Sequence, residues 1–206
     1  GGSDFSVLAS LPASVSFDST GSLLDPEKGE RLTFQAQPVF GTSGGLRAFL
    51  TLSGVASAYR ALDADSKLVA AVRIRLGTIL FAPESGVPAD LRYYSGGGGS
   101  VRGFGYQRVG PRDATDNPTG GRALGETSFE LRYRAWTDIG VVGFVDAGTV
   151  SASPYFADAG SPRVGAGLGL RYYTGFGPLR LDIGVPVNPL HGDAPVQVYV
   201  SVGQAF

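Results

Sequence analysis

The chain has 206 residues, with 17 Lys and Arg against 18 Asp and Glu for a formal net charge of −1, 32 glycines and no cysteine. That balance gives no electrostatic footprint for nucleic acid, and the missing cysteines exclude disulfides, thiolate nucleophiles and Cys-ligated metal sites. Charged residues make up only 17% and mean hydropathy is +0.08, yet no apolar run approaches the roughly 18 residues of a transmembrane helix, which suits a sheet with one face on lipid.

The chain opens Gly1-Gly2-Ser3, carries no methionine and shows no signal peptide. It therefore reads as a mature or excised piece with an artificial leader. Its hydropathy period is two. The pattern predicts about nine strands, near residues 5–18, 30–41, 47–62, 68–82, 122–136, 139–151, 163–174, 177–187 and 196–206. In the fourth, Leu68, Ala70, Val72, Ile74 and Leu76 oppose Arg73, Arg75 and Gly77. In the fifth, Phe129, Leu131 and Tyr133 oppose Ser128, Glu130, Arg132 and Arg134. In the seventh, Val164, Ala166, Leu168, Leu170 and Tyr172 oppose Arg163, Gly165, Gly167, Gly169 and Arg171; in the eighth, Leu179, Leu181 and Ile183 oppose Arg180, Asp182 and Gly184. The last sets Val196, Val198, Val200, Val202 and Phe206 against Gln197, Tyr199, Ser201 and Gly203.

Strands of about 9–13 residues with one apolar face and one face of glycine, arginine and acid match an antiparallel transmembrane β-barrel. A water-soluble barrel would show its charge outside and hide its apolar face. Connections near 83–121, 152–162 and 188–195 are long, and those near 137–138 and 175–176 are tight. In outer-membrane barrels the long loops face outside, which puts the C-terminus on the periplasmic side. An odd strand number conflicts with single-chain bacterial barrels, and a barrel of about eight strands is filled by its own side chains. The long loop would then have no room, so the expectation is a barrel with more strands than this chain supplies.

The loop of residues 83–121 contains Gly96–Gly99 and Ser100, which on their own read as a flexible spacer. Tyr93, Tyr94, Phe104 and Tyr106 argue otherwise, because a polar disordered loop would leave them in water. Folding into the lumen would bury them and bring Arg102 to acids on the inward face, with Gly103 and Gly105 permitting a tight tip.

Several patterns resemble enzyme or metal signatures. Gly41-Thr42-Ser43-Gly44-Gly45 fits a nucleophile elbow but lies between strands, and the one histidine, His191, sits in a Pro- and Gly-rich turn. Residues 63–66 and 113–117 lack full calcium-loop spacing and read as a hairpin turn and a solvated loop. The chain is therefore expected to be no enzyme, with no metal and no cofactor.

The run Gly96–Pro111 resembles the tip of the sixth extracellular loop of the BamA/TamA superfamily of outer-membrane assembly barrels, whose signature is Val-Arg-Gly followed by an aromatic. Here that is Val101, Arg102, Gly103 and Phe104. Phe144, Asp146 and Gly148 match the family's Phe-x-Asp-x-Gly strand. Residues 15–34 are similar to its Asp, Asp-Pro and Gly hairpin, and residues 177–187 and 198–206 resemble its last two strands. The terminal Gly-Gln-Ala-Phe and the Gly-rich run lean towards the TamA-like branch. The resemblance implies a sixteen-stranded barrel of which this chain is the C-terminal part, with POTRA domains upstream and none within residues 1–206. It also implies that Arg102 pairs with Asp146, helped by Glu130, although the residues alone equally allow both acids to pair with Arg132, Arg171 or Arg180. Phe206 would be the terminal aromatic of a targeting signal, or an interfacial girdle residue. Gly203 would be a kink near the seam, with Tyr199 on the same strand.

The implied function is insertion of barrel or autotransporter substrates in the bacterial outer membrane, among outer-membrane lipids and with a periplasmic or inner-membrane partner subunit. The same barrel also serves two-partner secretion transporters and patatin-like phospholipases as their anchor.

Overall fold

The structure is a computed structural model and describes residues 7–42, 46–82 and 87–206. Among these, ten strands form one antiparallel sheet: β1 (Val7–Ser10), β2 (Ala13–Asp18), β3 (Gly29–Thr42), β4 (Leu46–Ala61), β5 (Leu68–Leu80), β6 (Ala123–Arg134), β7 (Ile139–Ser151), β8 (Arg163–Thr174), β9 (Gly177–Pro186) and β10 (Gln197–Val202). Each strand from β3 onward pairs with its neighbour in sequence, while β1 and β2 both pair with β3. Two expected spans change. The first is interrupted at Leu11-Pro12, because proline has no N–H for the ladder; register resumes with Ala13 opposite Ala36. The last stops at Val202, four residues early.

The two faces of the sheet differ as the period-two pattern requires. Leu168 is 73% exposed and Val200 78% exposed, and Ile74, Leu76, Phe129, Leu131, Leu181, Ile183 and Val198 are also exposed. A contiguous apolar face of this extent is foreign to a water-facing sheet and is suited to lipid. The opposite face carries the buried charges Glu126, Glu130, Arg132, Asp146, Arg171, Arg180 and Asp182.

The charged face is concave. β5 and β9 lie four strands apart, about 19 Å in a flat sheet, yet Arg73 and Arg180 donate to the adjacent carbonyls of Gly99 and Gly98 at 3.3 and 2.8 Å. At one end of the sheet the turn between β2 and β3 reaches across to the residues after β10, where the Gln204 N–H donates to the Leu24 carbonyl at 2.9 Å. The sheet remains open, with β1 and β2 at one edge and β10 at the other.

Candidate functional site: a loop locked onto the concave face

Residues 87–122, between β5 and β6, lie against the charged face. The segment enters through Val87 and a short 3₁₀ turn, Ala89–Leu91, and closes on itself by bridges of Tyr93 with Gly121, Ser95 with Val109 and Arg112 with Pro118. Val87, with Leu91 and Tyr93, packs into an apolar cluster with Val39, Phe49 and Ile79. The Tyr93 hydroxyl donates to the Leu52 carbonyl at 2.8 Å, and its ring occupies the space that a side chain at Gly77 would fill. Further along, Val101, Phe104 and Val109 form a second buried cluster. Of the four aromatics expected to be buried only Phe104 is; Tyr93 and Tyr94 are half-buried, and Tyr106 is left outside, 79% exposed.

The four consecutive glycines are not a spacer. Gly96 and Gly97 have φ of +107° and +110°, in the left-handed region that a residue with Cβ avoids. The Gly97 N–H donates to the Val101 carbonyl and the Ser100 N–H to the Gly97 carbonyl, which coils the run into a compact turn. Its outward carbonyls take the Arg73 and Arg180 bonds, and the Ser100 hydroxyl donates to Glu126.

The tip that follows is built on Arg102, which is 1% exposed. Its Nε and Nη2 grip Asp146 at 2.7 and 3.0 Å, and its backbone N–H donates to the same carboxylate at 3.0 Å. Nη1 donates to Glu130 at 2.5 Å and to Asp182 at 2.9 Å. The guanidinium carbon lies 3.6 Å from the centroid of the Phe144 ring, a stacking that the planar arginine head favours. Burial opposes the charge on Arg102, but hydrogen bonding to Asp146 and the charges of Glu130, Asp146 and Asp182 outweigh it and raise its pKa.

Phe144, Asp146 and Gly148 alternate on β7 and so share one face. Phe144 lies under the guanidinium, Asp146 binds it, and Gly148 leaves room for Val101, whose methyl would stand 2.7 Å from a Cβ there. The spacing of the strand motif is thus matched to Val101-Arg102-Gly103. Gly103, at φ +96°, packs on the Val185 carbonyl and Gly165. The Tyr199 hydroxyl on β10 accepts from the Gly103 N–H at 3.0 Å and donates to the Phe104 carbonyl at 2.7 Å.

The two pairings that the sequence left open coexist at Glu130 and not at Asp146. Glu130 also accepts from Arg132 at 2.8 Å, while among the described residues Asp146 pairs with Arg102 alone; Arg171 binds Asp182 at 2.5 Å. Asp182 is the partner of Arg102 that sequence reasoning missed. It was visible on the polar face of its strand, but its approach to Arg102 depends on sheet curvature. Four buried guanidiniums, of Arg102, Arg132, Arg171 and Arg180, share this face with the four buried carboxylates of Glu126, Glu130, Asp146 and Asp182. Backbone oxygens supply further acceptors: Arg180 uses Gly98, and Arg132 uses Phe206 at 3.1 Å.

Phe206 departs from the alternation that would put it on the apolar face or in an interfacial girdle. Gly203, at φ +85°, ends the pleat, and residues 203–206 turn onto the concave face. There the Phe206 ring lies 6.2 Å from that of Tyr59 and 5.1 Å from the Arg73 guanidinium. Gln204 accepts from Arg171 and donates to Asp25.

Ser43, Gly44 and Gly45 of the Gly-x-Ser-x-Gly pattern lie outside the described residues. His191 is exposed in the turn after β9. The Asp113 carboxylate is turned onto its own loop, accepting from the Thr115 and Asn117 N–H groups at 2.9 Å each.

A second set of ion pairs ties the segment to the β9–β10 loop. Asp193 accepts from Arg112 at 2.6 Å, Arg163 at 2.8 Å and the Leu190 N–H at 2.8 Å. Burial pushes the Asp193 carboxyl up, but these hydrogen bonds and the neighbouring arginines hold it below its ordinary value. A carboxyl depressed in the folded state contributes stability above its unfolded pKa and loses it as pH falls through the folded one. Asp193→Asn is therefore expected to raise amide exchange at residues 108–116 and 190–193 about tenfold at neutral pH, with β6–β8 unchanged. The wild type should show that loosening only at pH below the ordinary carboxylate range.

Comparison with known proteins gives three results. The Omp85 superfamily domain matches residues 1–206. A SAM50-like protein of Schizosaccharomyces pombe is 28% identical over 202 residues, covering 91% of this chain and 42% of the relative. The crystal structure of BamA from Haemophilus ducreyi lacking POTRA domains 1–3 superposes with a TM-score of 0.77 at 23% identity, covering 92% of this chain and 41% of that one. At that identity the likeness shows the fold. The chain spans about two-fifths of the length of each.

Proposed function

The chain belongs to the Omp85 superfamily, and from that premise we propose that it is the barrel part of a factor that inserts and folds other proteins in a bacterial outer membrane. The observation that carries this reading is the buried Arg102 lock. Burying a guanidinium and three carboxylates is costly and seldom a net gain in stability, so its use here is to hold one loop in one place on a polar concave face. A diffusion pore has no need of such a loop.

In this reading the described sheet is the C-terminal part of a sixteen-stranded barrel, and residues 83–121 are its long extracellular loop folded into the lumen. The C-terminus lies on the periplasmic side. The exposed apolar face meets outer-membrane lipids, and POTRA domains upstream bind a periplasmic or inner-membrane partner subunit. Substrates are unfolded outer-membrane or autotransporter chains, whose strands pair with an open sheet edge by β-augmentation; no covalent step is involved. The Gly-rich loop and the Gly-Gln-Ala-Phe ending incline the chain to the TamA-like branch.

The test is folding of a radiolabelled barrel substrate by vesicles that carry the intact protein. Protein-dependent acquisition of a protease-resistant, heat-modifiable substrate is expected. Vesicles that fold no more substrate than protein-free ones would overturn the reading and favour the secretion or phospholipase-anchor barrels.

A further inference from the structure

Among the described residues β10 is an edge strand of six residues, paired with β9. It ends at Gly203, where the chain leaves the ladder. Short edge strands fray readily, and among the described residues the outward half of its ladder has no partner. Tyr199 lies in the middle of this strand, directly opposite Asp182 of β9. That rung grips three consecutive loop residues. Asp182 takes the side chain of Arg102, while the Tyr199 hydroxyl takes the Gly103 N–H and the Phe104 carbonyl. The Tyr199 ring packs under Gly98, where a Cβ would come within 2.9 Å of it. Loop tip, β9 and β10 therefore form a closed circuit in which one hydroxyl joins the edge strand to the loop.

We propose that Tyr199 is a positioning residue: it fastens β10 to the loop tip, so that the seating of the loop sets how much of the strand edge is held in register for an incoming strand. This rests on the insertion function proposed above. The tie is of a releasable kind. Its two bonds are to neutral backbone groups and can be exchanged for water, whereas the Arg102 bonds leave buried charges when broken. Without the hydroxyl, the Gly103 N–H and Phe104 carbonyl lose their partner, and β10 keeps its ladder with β9 and the packing of the ring under Gly98.

Two measurements on the same variants of the intact protein test this: amide exchange of the detergent-solubilised protein, and the rate of substrate folding by vesicles. Tyr199→Phe keeps the ring and is expected to speed exchange at residues 197–202 about tenfold, to leave β6–β8 unchanged, and to slow substrate folding about fivefold. Gly98→Ala, which displaces the ring without touching the hydroxyl, is expected to reproduce both effects. Ser201→Ala, on the same strand and face, is expected to leave exchange at residues 197–202 as in the wild type. Unchanged exchange at residues 197–202 in both Tyr199→Phe and Gly98→Ala overturns the tie. Faster exchange with unaltered folding overturns its role in insertion and leaves Tyr199 a structural contact. If the wild type folds no substrate, the insertion reading fails, and the exchange data still decide whether the tie exists.

Discussion

Arg102→Ala is expected to cost about 3–5 kcal/mol in the seating of the loop and to lower substrate folding by at least about 100-fold, while the sheet still forms. The deletion strands Asp146, Glu130 and Asp182 together, each 0% exposed and each using Arg102 as a donor. Glu130 and Asp182 retain Arg132 and Arg171; among the described residues Asp146 retains no cation. Arg102→Lys should recover little, because an ammonium cannot bond Asp146 through two nitrogens, reach Glu130 and Asp182 and stack on Phe144 at once. Exchanging the charges, Arg102→Glu with Asp146→Arg, should also recover little. A carboxylate at position 102 would face Glu130 and Asp182, and the Arg102 backbone N–H would lose its acceptor on Asp146. Limited proteolysis of the loop beside the vesicle folding assay checks both outcomes. Full activity in Arg102→Ala would remove the lock from the mechanism.

How much of this was legible in the sequence differs from residue to residue, for physical reasons. Alternation along Leu68–Leu80 and Ala123–Arg134 fixed which residues share a face, since side chains of a strand point alternately. The pairing of Arg102 with Asp146 and Glu130 was legible only through the likeness of residues 101–104 and 144–148 to a family pattern. Asp182 could not be assigned, because its distance to Arg102 depends on the register of β8 against β9 and on curvature over 80 residues. The kink at Gly203 was legible through the same family likeness, but alternation carried past it put Phe206 on the apolar face, whereas the positive φ at Gly203 ends the pleat. The break at Pro12 was visible in principle, as a proline within a strand run demotes it.

The glycines of β8 yield the second large effect. Gly165, Gly167 and Gly169 alternate on the concave face, and as strand residues they are unfavourable. Their use is space. A Cβ at Gly165 would stand 1.8 Å from the Arg102 carbonyl oxygen, one at Gly167 would stand 2.1 Å from the Ile183 carbonyl oxygen, and one at Gly169 would stand 2.2 Å from an Asp182 carboxylate oxygen. At Gly165 the obstacle is loop backbone, which no rotamer change can move aside. Overpacking a fitted site costs about 1–3 kcal/mol where neighbours can give. Here the loop tip must lift instead, and with it go the Arg102 bonds. Gly165→Ala is thus expected to approach the loss caused by Arg102→Ala, with every charge of the lock still present. Gly143 on β7 is the control: nothing lies within 4 Å of a Cβ built there, so Gly143→Ala should be neutral in proteolysis and in substrate folding. A Gly165→Ala protein with an intact, protease-resistant loop would show that the tip does not sit on this floor. Loss of activity in Gly165→Ala alone would locate the requirement in the seating of the loop rather than in the charge of Arg102.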